Sequence, residues 1–144
     1  MTEPGETHTV DGDRYEWRGE FRDDELEALH AEAFNHAPTD ADWAECLHRH
    51  SLGWVCAWRG DNLIGFVNVA WDGAAHAFLL DTIVAATDRH RGVGTALVSV
   101  ARRQAAAAGC EWLHVDFEDR LRSFYFDACG FRPTDAGLIR LREA

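Results

Sequence analysis

The sequence predicts an α/β domain of the α+β type, with a mixed, mostly antiparallel, twisted central sheet of six to seven strands flanked by about four helices. Three observations predict it. Three β-rich runs follow one another with only short turns between them, which is the pattern of antiparallel pairing. A long Ala-rich segment after them has helical period and closes at Gly109. The 144 residues, 47% hydrophobic and 27% charged, suit one domain spanning 1–144.

Residues 1–12 are polar and irregular and read as a weakly held terminus. Arg14–Arg18 is the first strand, with Tyr15 and Trp17 on one face. Asp23 or Asp24 caps a helix carrying Leu26, Leu29, Ala33 and Phe34, and Thr39 or Asp40 caps another carrying Trp43 and Leu47. Leu52–Arg59 and Leu63–Trp71 form a hairpin turned by Gly60, Asp61 and Asn62. Beyond a turn at Asp72–Ala75, the near-continuous apolar run Ala77–Ala85 fits a buried central strand. Gly92–Ala108 is the long helix, Glu111–Phe117 alternates as a strand and Arg120–Cys129 is helical. Phe131 onward returns to strand, with a final hairpin turned around Pro133–Gly137.

Charge excludes several functions. Residues 1–80 hold 5 Arg against 16 Asp and Glu, while residues 81–144 hold 9 of each, so the net charge of −11 belongs to the first half. A nucleic-acid partner needs a basic footprint, which is missing, whereas a cationic partner is compatible. All 14 basic residues are Arg, which removes a Schiff-base or Walker-type lysine. Cys46, Cys56, Cys110 and Cys129 make no C-x-x-C pair and read as free thiols of a reducing cytosol. His48 and His50 point to different sides of a predicted helix, and no metal site is predicted. No apolar run approaches the ~20 residues of a membrane span, and MTEPGETHTV has neither the basic nor the apolar region of a signal peptide. The expectation is a cytoplasmic protein with no membrane partner.

Thr87–Leu97, TDRHRGVGTAL, places two glycines where a strand gives way to a long helix. Backbone N–H groups and the helix dipole there suit an anion, glycine lets a phosphate reach the main chain, and Arg89 and Arg91 add charge. The alternative is a tight turn with incidental arginines. A dinucleotide fingerprint fits poorly: Asp116 lies at a tolerable distance for a ribose-binding acid, but Leu97 stands where the third glycine belongs and meandering strands precede the loop.

Arg89-His90-Arg91-Gly92-Val93-Gly94 resembles the [QR]-x-x-G-x-[GA] signature of the GCN5-related N-acetyltransferase (GNAT) superfamily, and FYFDACGF, Phe124–Phe131, resembles its F-Y-x-x-x-G-F segment. The resemblance covers roughly residues 13–142. It implies acetyl-CoA as cosubstrate, no metal, and a sheet splayed between the fourth and fifth predicted strands, here Ala77–Ala85 and Glu111–Phe117. The backbone of Ile83, Val84 and Ala85 would pair with the pantetheine arm, and Arg89, His90, Arg91, Gly92, Val93, Gly94 and Thr95 would hold the pyrophosphate. Tyr125 matches the tyrosine proposed as general acid, whether it protonates the thiolate or only orients it.

Asp81, an acid inside the apolar run FLLDTIV, is costly to bury without a partner or a task. Its place is similar to an acidic position in polyamine acetyltransferases of the superfamily, where it would bind the acceptor ammonium or take its proton, directly or through water; the other reading is a satisfied structural carboxylate. Asp116 and Glu118 are second candidates on the substrate side, with His76 and His114 behind them. Glu118 departs from the pattern, since many members carry Asn there. The implied reaction is N-acetylation of a primary amine, a small cationic one, by direct attack in a ternary complex. Trp43, Trp54, Trp58 and Trp71 are candidate aromatic walls or simply core. Alternatives are a protein N-terminal or peptide acetyltransferase, a ping-pong enzyme using Cys129 or Cys110, and a non-catalytic acyl-CoA sensor. An exposed strand edge or the final hairpin would allow a homodimer.

Overall fold

The computed structural model describes residues 6–142. Six strands form one sheet in chain order: β1 (Thr7–Val10), β2 (Asp13–Trp17), β3 (Ser51–Arg59), β4 (Asn62–Trp71), β5 (His76–Val84) and β6 (Trp112–His114). Every pairing is antiparallel except β5 with β6. The helices are α1 (Asp23–Phe34), α2 (Trp43–His50) and α3 (Val93–Ala107), followed by a 3₁₀ turn, Asp119–Leu121, and a π-helical turn, Ser123–Ala128.

Alternation along the strands builds two cores. Val55 and Ala57 of β3 face α3, joining Val67, Val69, Ala77, Leu79, Val93, Leu97 and Ala101. Trp54, Cys56 and Trp58 point the other way and pack with Phe66 and Ile83 under Leu26, Leu29 and Leu47 of α1 and α2. Trp54 and Trp58 are therefore core and not ligand walls, and Trp54 Nε1 donates to Gly19 O at 2.8 Å. Glu27, 3% exposed, ties the two helices. Its carboxylate accepts from Trp43 Nε1 at 2.9 Å and from Thr39 N and Oγ1 at 2.8 and 2.9 Å. These bonds hold its carboxyl below the ordinary range, the Trp43 bond contributing most.

Several expectations are corrected. Thr7–Val10, placed in a weak terminus, pairs with β2, because Asp11 and Gly12 (φ 50° and 84°) supply the two left-handed positions of a tight hairpin turn. Residues 1–5 of that expectation lie outside the described residues. Neither Asp23 nor Asp24 caps α1; both lie in its first turn, behind Arg22. Asp42, not Thr39 or Asp40, caps α2, accepting from Glu45 N at 3.1 Å. β5 is not a buried central strand: only three residues of β6 flank it, and Phe78 and Leu80 are 38% and 42% exposed.

Glu111–Phe117 is a strand only over Trp112–His114, since the chain then leaves β5. The expected helix Arg120–Cys129 is instead the 3₁₀ and π turns. The wide π turn lets Phe124 meet α3 while Tyr125 stacks on Phe117 at 4.6 Å. The final hairpin is not formed among the described residues. With β6 so short, no long edge receives a returning strand, and Leu138, Ile139 and Leu141 are 81%, 86% and 92% exposed.

Candidate active site

The parallel ladder of β5 and β6 ends at the pair Phe78 and His114, although β5 runs on to Val84. From Leu79 onward β5 is paired only on its β4 side, so backbone groups on its other edge face the gap. Within this stretch, Phe66 stands opposite Ile83 and Asn68 opposite Leu80, leaving Asp81 and Thr82 against Val67 alone. This is a β-bulge, and Asp81 adopts φ 55° in it. The left-handed conformation is one that Asp tolerates better than most residues, and it turns successive side chains out of simple alternation. Thus Leu79 packs in the α3 core while Ile83, four residues on, faces the α1–α2 core.

The glycine loop follows. Gly92, at φ 84°, precedes α3 in a conformation that favours glycine, and no side chain caps the helix. The first amides of α3 therefore lack the carboxylate that Asp42 provides to α2, and an anion would complete them. Gly94 serves packing: a Cβ there would lie 3.0 Å from Phe124 Cζ. His90, at φ 64°, completes the turn, Val93 is buried in the core and Thr95 is exposed in the first turn of α3.

A buried carboxylate holds this loop to the sheet. Asp88 accepts from Arg59 Nη1, from Arg91 Nη1 at 3.2 Å and from Thr87 Oγ1 at 3.0 Å. Arg59 also forks onto Asp13, both contacts at 3.0 Å, so β2, β3 and the loop share one ion network. Arg91 is thus half engaged in the framework, and Arg89 Nε donates to Val84 O at 3.2 Å. Sequence reasoning missed Arg59, Asp13 and Asp88, which are far apart in the chain and match no motif. It also included Ala85, which the structure removes from the free edge: its N–H donates to Ile64 O and its carbonyl accepts from Asp88 N, both at 2.8 Å. Val84 remains, its carbonyl turned to the open edge and Arg89, whereas the Ile83 carbonyl faces β4, 3.2 Å from where a Cβ on Gly65 would lie.

Tyr125 is 5% exposed, between Phe117, Phe124 and Phe131. Burial pushes its phenol above the ordinary value, Thr82 beside it acting the other way, so it remains a protonated hydrogen-bond donor at neutral pH. Asp81 and Thr82 are adjacent in the bulge, so the structure brings Tyr125 and Asp81 to the same stretch of β5. Asp81 Oδ1 lies 3.3 Å from His30 Nε2, on α1. Asp116 and Glu118 are exposed after β6, with Glu118 3.0 Å from Arg120 Nε, and neither contacts Asp81. His76 and His114 pair with each other at 2.8 Å. Burial raises the Cys110 and Cys129 thiols, which weakens either as a thiolate nucleophile. Among the described residues no group of three or more His, Cys, Asp or Glu is arranged to hold a metal ion, and no helix is long and apolar enough to cross a membrane.

A parted parallel strand pair beside an uncapped helix N-terminus suits a ligand with a phosphate-bearing arm. The family model described as "Acetyltransferase (GNAT) family" matches residues 14–131, and the chain belongs to that family, with acetyl-CoA as the cosubstrate of the class. Solved structures share the fold. An acetyltransferase from Trypanosoma brucei has a TM-score of 0.76 at 20% identity, covering 90% of this chain and 99% of that one. The aminoglycoside N-acetyltransferase AAC(6')-Iy in complex with CoA has a TM-score of 0.72 at 18% identity, covering 99% and 100%. The glucosamine-6-phosphate N-acetyltransferase from Arabidopsis thaliana has a TM-score of 0.72 at 11% identity, covering 90% and 99%. The comparison with curated proteins finds no match.

Proposed function

We propose that the protein transfers the acetyl group of acetyl-CoA to a primary amine, a small cationic one, by direct attack in a ternary complex. The observation that carries this reading is an acid, Asp81, in a strained bulge of β5, the strand whose open edge leads on to the uncapped start of α3. An acidic first half, where the net charge of −11 resides, would draw a cation toward it.

Acetyl-CoA, when bound, supplies an acetyl group activated as a thioester. The amides of Gly92, Val93, Gly94 and Thr95 would hold its pyrophosphate, with His90, Arg89 and Arg91 at the rim. The free edge of β5 at Val84 would take the pantetheine arm as an added strand. Arg89 would leave Val84 O as the arm takes that carbonyl, which moves its charge toward the phosphates. Tyr125 donates a hydrogen bond to the departing sulfur. Asp81 binds the acceptor ammonium and takes one proton from it, since a protonated amine has no lone pair with which to attack. Asp116 and Glu118 would lie toward the acceptor entrance.

The test is incubation with acetyl-CoA and a mixed panel of polyamines, aralkylamines, aminoglycosides, amino acids and N-terminal peptides, with products read by mass spectrometry. An acetylated amine that Asp81→Asn abolishes, with acetyl-CoA binding retained, supports the reading. Binding of acetyl-CoA with no product from any class points to a sensor, and absence of binding removes the loop assignment.

A further inference from the structure

Asp81 does not stand alone. His30 Nε2 is 3.3 Å from Asp81 Oδ1, His30 Nδ1 is 2.7 Å from His36 Nε2, and His36 Nδ1 is 2.8 Å from Ala37 O. The partners decide who donates. A backbone carbonyl only accepts, so His36 Nδ1 carries a proton toward Ala37 O. In the neutral ring, His36 Nε2 then has a lone pair and must accept, so His30 Nδ1 donates to it. A neutral His30 is left with its Nε2 lone pair facing a carboxylate.

The row has three links, and acceptors, a carboxylate and a carbonyl, at its two ends. Two neutral imidazoles provide two protons. One of the three links is therefore short of a proton, and the longest of them, Asp81 to His30 at 3.3 Å against 2.7 and 2.8 Å, is the one assigned. The rings are held in place for it: His30 packs against Phe34 at 4.5 Å, His36 at 4.9 Å and Trp43 at 5.1 Å. The charged or titratable groups around His30 are Asp81 from β5, His36 from the segment after α1, and Glu27 one turn earlier on α1. Glu27 is itself engaged by Trp43 and Thr39. The side chains of His30 and Asp81 are 20% and 31% exposed, so the pair is screened yet open to a ligand.

We propose that Asp81 and His30 act as one proton-accepting pair for the acceptor amine, with His36 as the positioning residue that keeps the His30 Nε2 lone pair turned toward Asp81. The inference rests on the acetyl-transfer reading and specifies how its base works. In the step, one N–H bond of the acceptor ammonium breaks and its electron pair stays on nitrogen. The proton goes to Asp81 and is shared with His30 Nε2. The nitrogen pair then forms the N–C bond to the acetyl carbon, the C–S bond breaks with its electron pair going to sulfur, and the thiolate takes a proton from Tyr125 or water, while the new amide nitrogen gives its second proton to water and Tyr125 is reprotonated from water. The pair returns its proton to water once the product has left.

The test has two arms. In acetyl transfer, His30→Gln should lower kcat/KM for the amine by about 100-fold at pH 7. The loss should shrink as pH rises, because an already neutral amine needs no acceptor for its proton. His36→Ala should show the same pH trend with a smaller loss, and KM for acetyl-CoA should not change. A loss that is equal at all pH values, or one confined to KM, overturns the proposal. In ring-nitrogen NMR of the free protein, Asp81→Asn should alter the pH response of His30 and His36 and leave His48 and His50 as they were; an unaltered His30 overturns the pair whatever the activity. NMR coupling in a wild-type protein that acetylates no amine overturns the acetyl-transfer reading and the catalytic role together, while the contact between Asp81 and His30 itself stands.

Discussion

Gly94 and Phe124 are fitted to each other: a Cβ on Gly94 would sit 3.0 Å from Phe124 Cζ and 3.1 Å from Cε1, closer than carbon atoms pack without displacement. Both residues belong to the segments that carry the family signatures, so the two motifs are one contact in space. The glycine at 94 lets the aromatic turn that bears Tyr125 close down on the start of α3. Gly92, two residues earlier, has open space around it and is needed for its φ of 84° instead.

Gly94→Ala should therefore destabilise the protein by roughly 1–3 kcal/mol through overpacking, and Gly92→Ala by about 1 kcal/mol through backbone strain. The two should part in their contacts. Gly94→Ala should change Tyr125 and Phe124 signals in NMR, while Gly92→Ala should leave them in place and weaken acetyl-CoA binding by calorimetry. Equal effects on the aromatic turn would contradict the separate roles assigned to the two glycines.

Tyr125→Phe removes one hydroxyl from a buried site beside Thr82. Acetyl-CoA affinity should stay within about threefold, while kcat falls by ~100-fold or more if the phenol assists the sulfur. The pH dependence of stability carries a sign. Burial raises the phenols of Tyr15 and Tyr125 above their ordinary value of 10.0, so their contribution is full below that value and is lost as pH climbs through the folded values. Thermal melts of Tyr125→Phe should fall less steeply above pH 10 than those of the wild type. Parallel curves would show that Tyr125 is not what resists ionisation.

Arg59→Ala strips the shared cation from Asp13 and Asp88, both buried, leaving Asp88 with only Arg91 and Thr87. Breaking such a network leaves a carboxylate without its partner. The melting temperature should drop by about 5 °C or more, and acetyl-CoA binding should weaken because the loop after Asp88 loses its tether to β2 and β3. Added acetyl-CoA should recover part of the melting temperature in proportion to its occupancy. An unchanged melt would show that Arg91 alone suffices to hold Asp88.

The alternation of Val55 and Ala57 against Trp54 and Cys56, the turn glycines and the Ala-rich helix are local patterns, and a local pattern is written in consecutive residues. The start of α3 and the Phe124–Phe131 segment were legible for the same reason, as was the oddity of Asp81 in an apolar run. The hairpin of β1 was equally available in Asp11–Gly12 but was outweighed by the polarity around it. Where β6 ends, whether the last residues find a strand to pair with, and that Tyr125 lies on a π turn were not legible. Each depends on whether a distant edge is present to supply hydrogen bonds.

By itself the sequence determined the class of fold, the loop that suits a phosphate and the acid on the open strand. Only the tertiary structure decided what surrounds them. It removed Ala85 from the free edge by giving its amide to Ile64, brought Arg59 from β3 and Asp13 from β2 to the glycine loop, and set His30 of α1 against Asp81 of β5 across 51 residues of chain. Hydrogen bonds and ion pairs act over a few ångströms regardless of separation along the chain, so the partners that tune a site appear only once the chain has closed on itself.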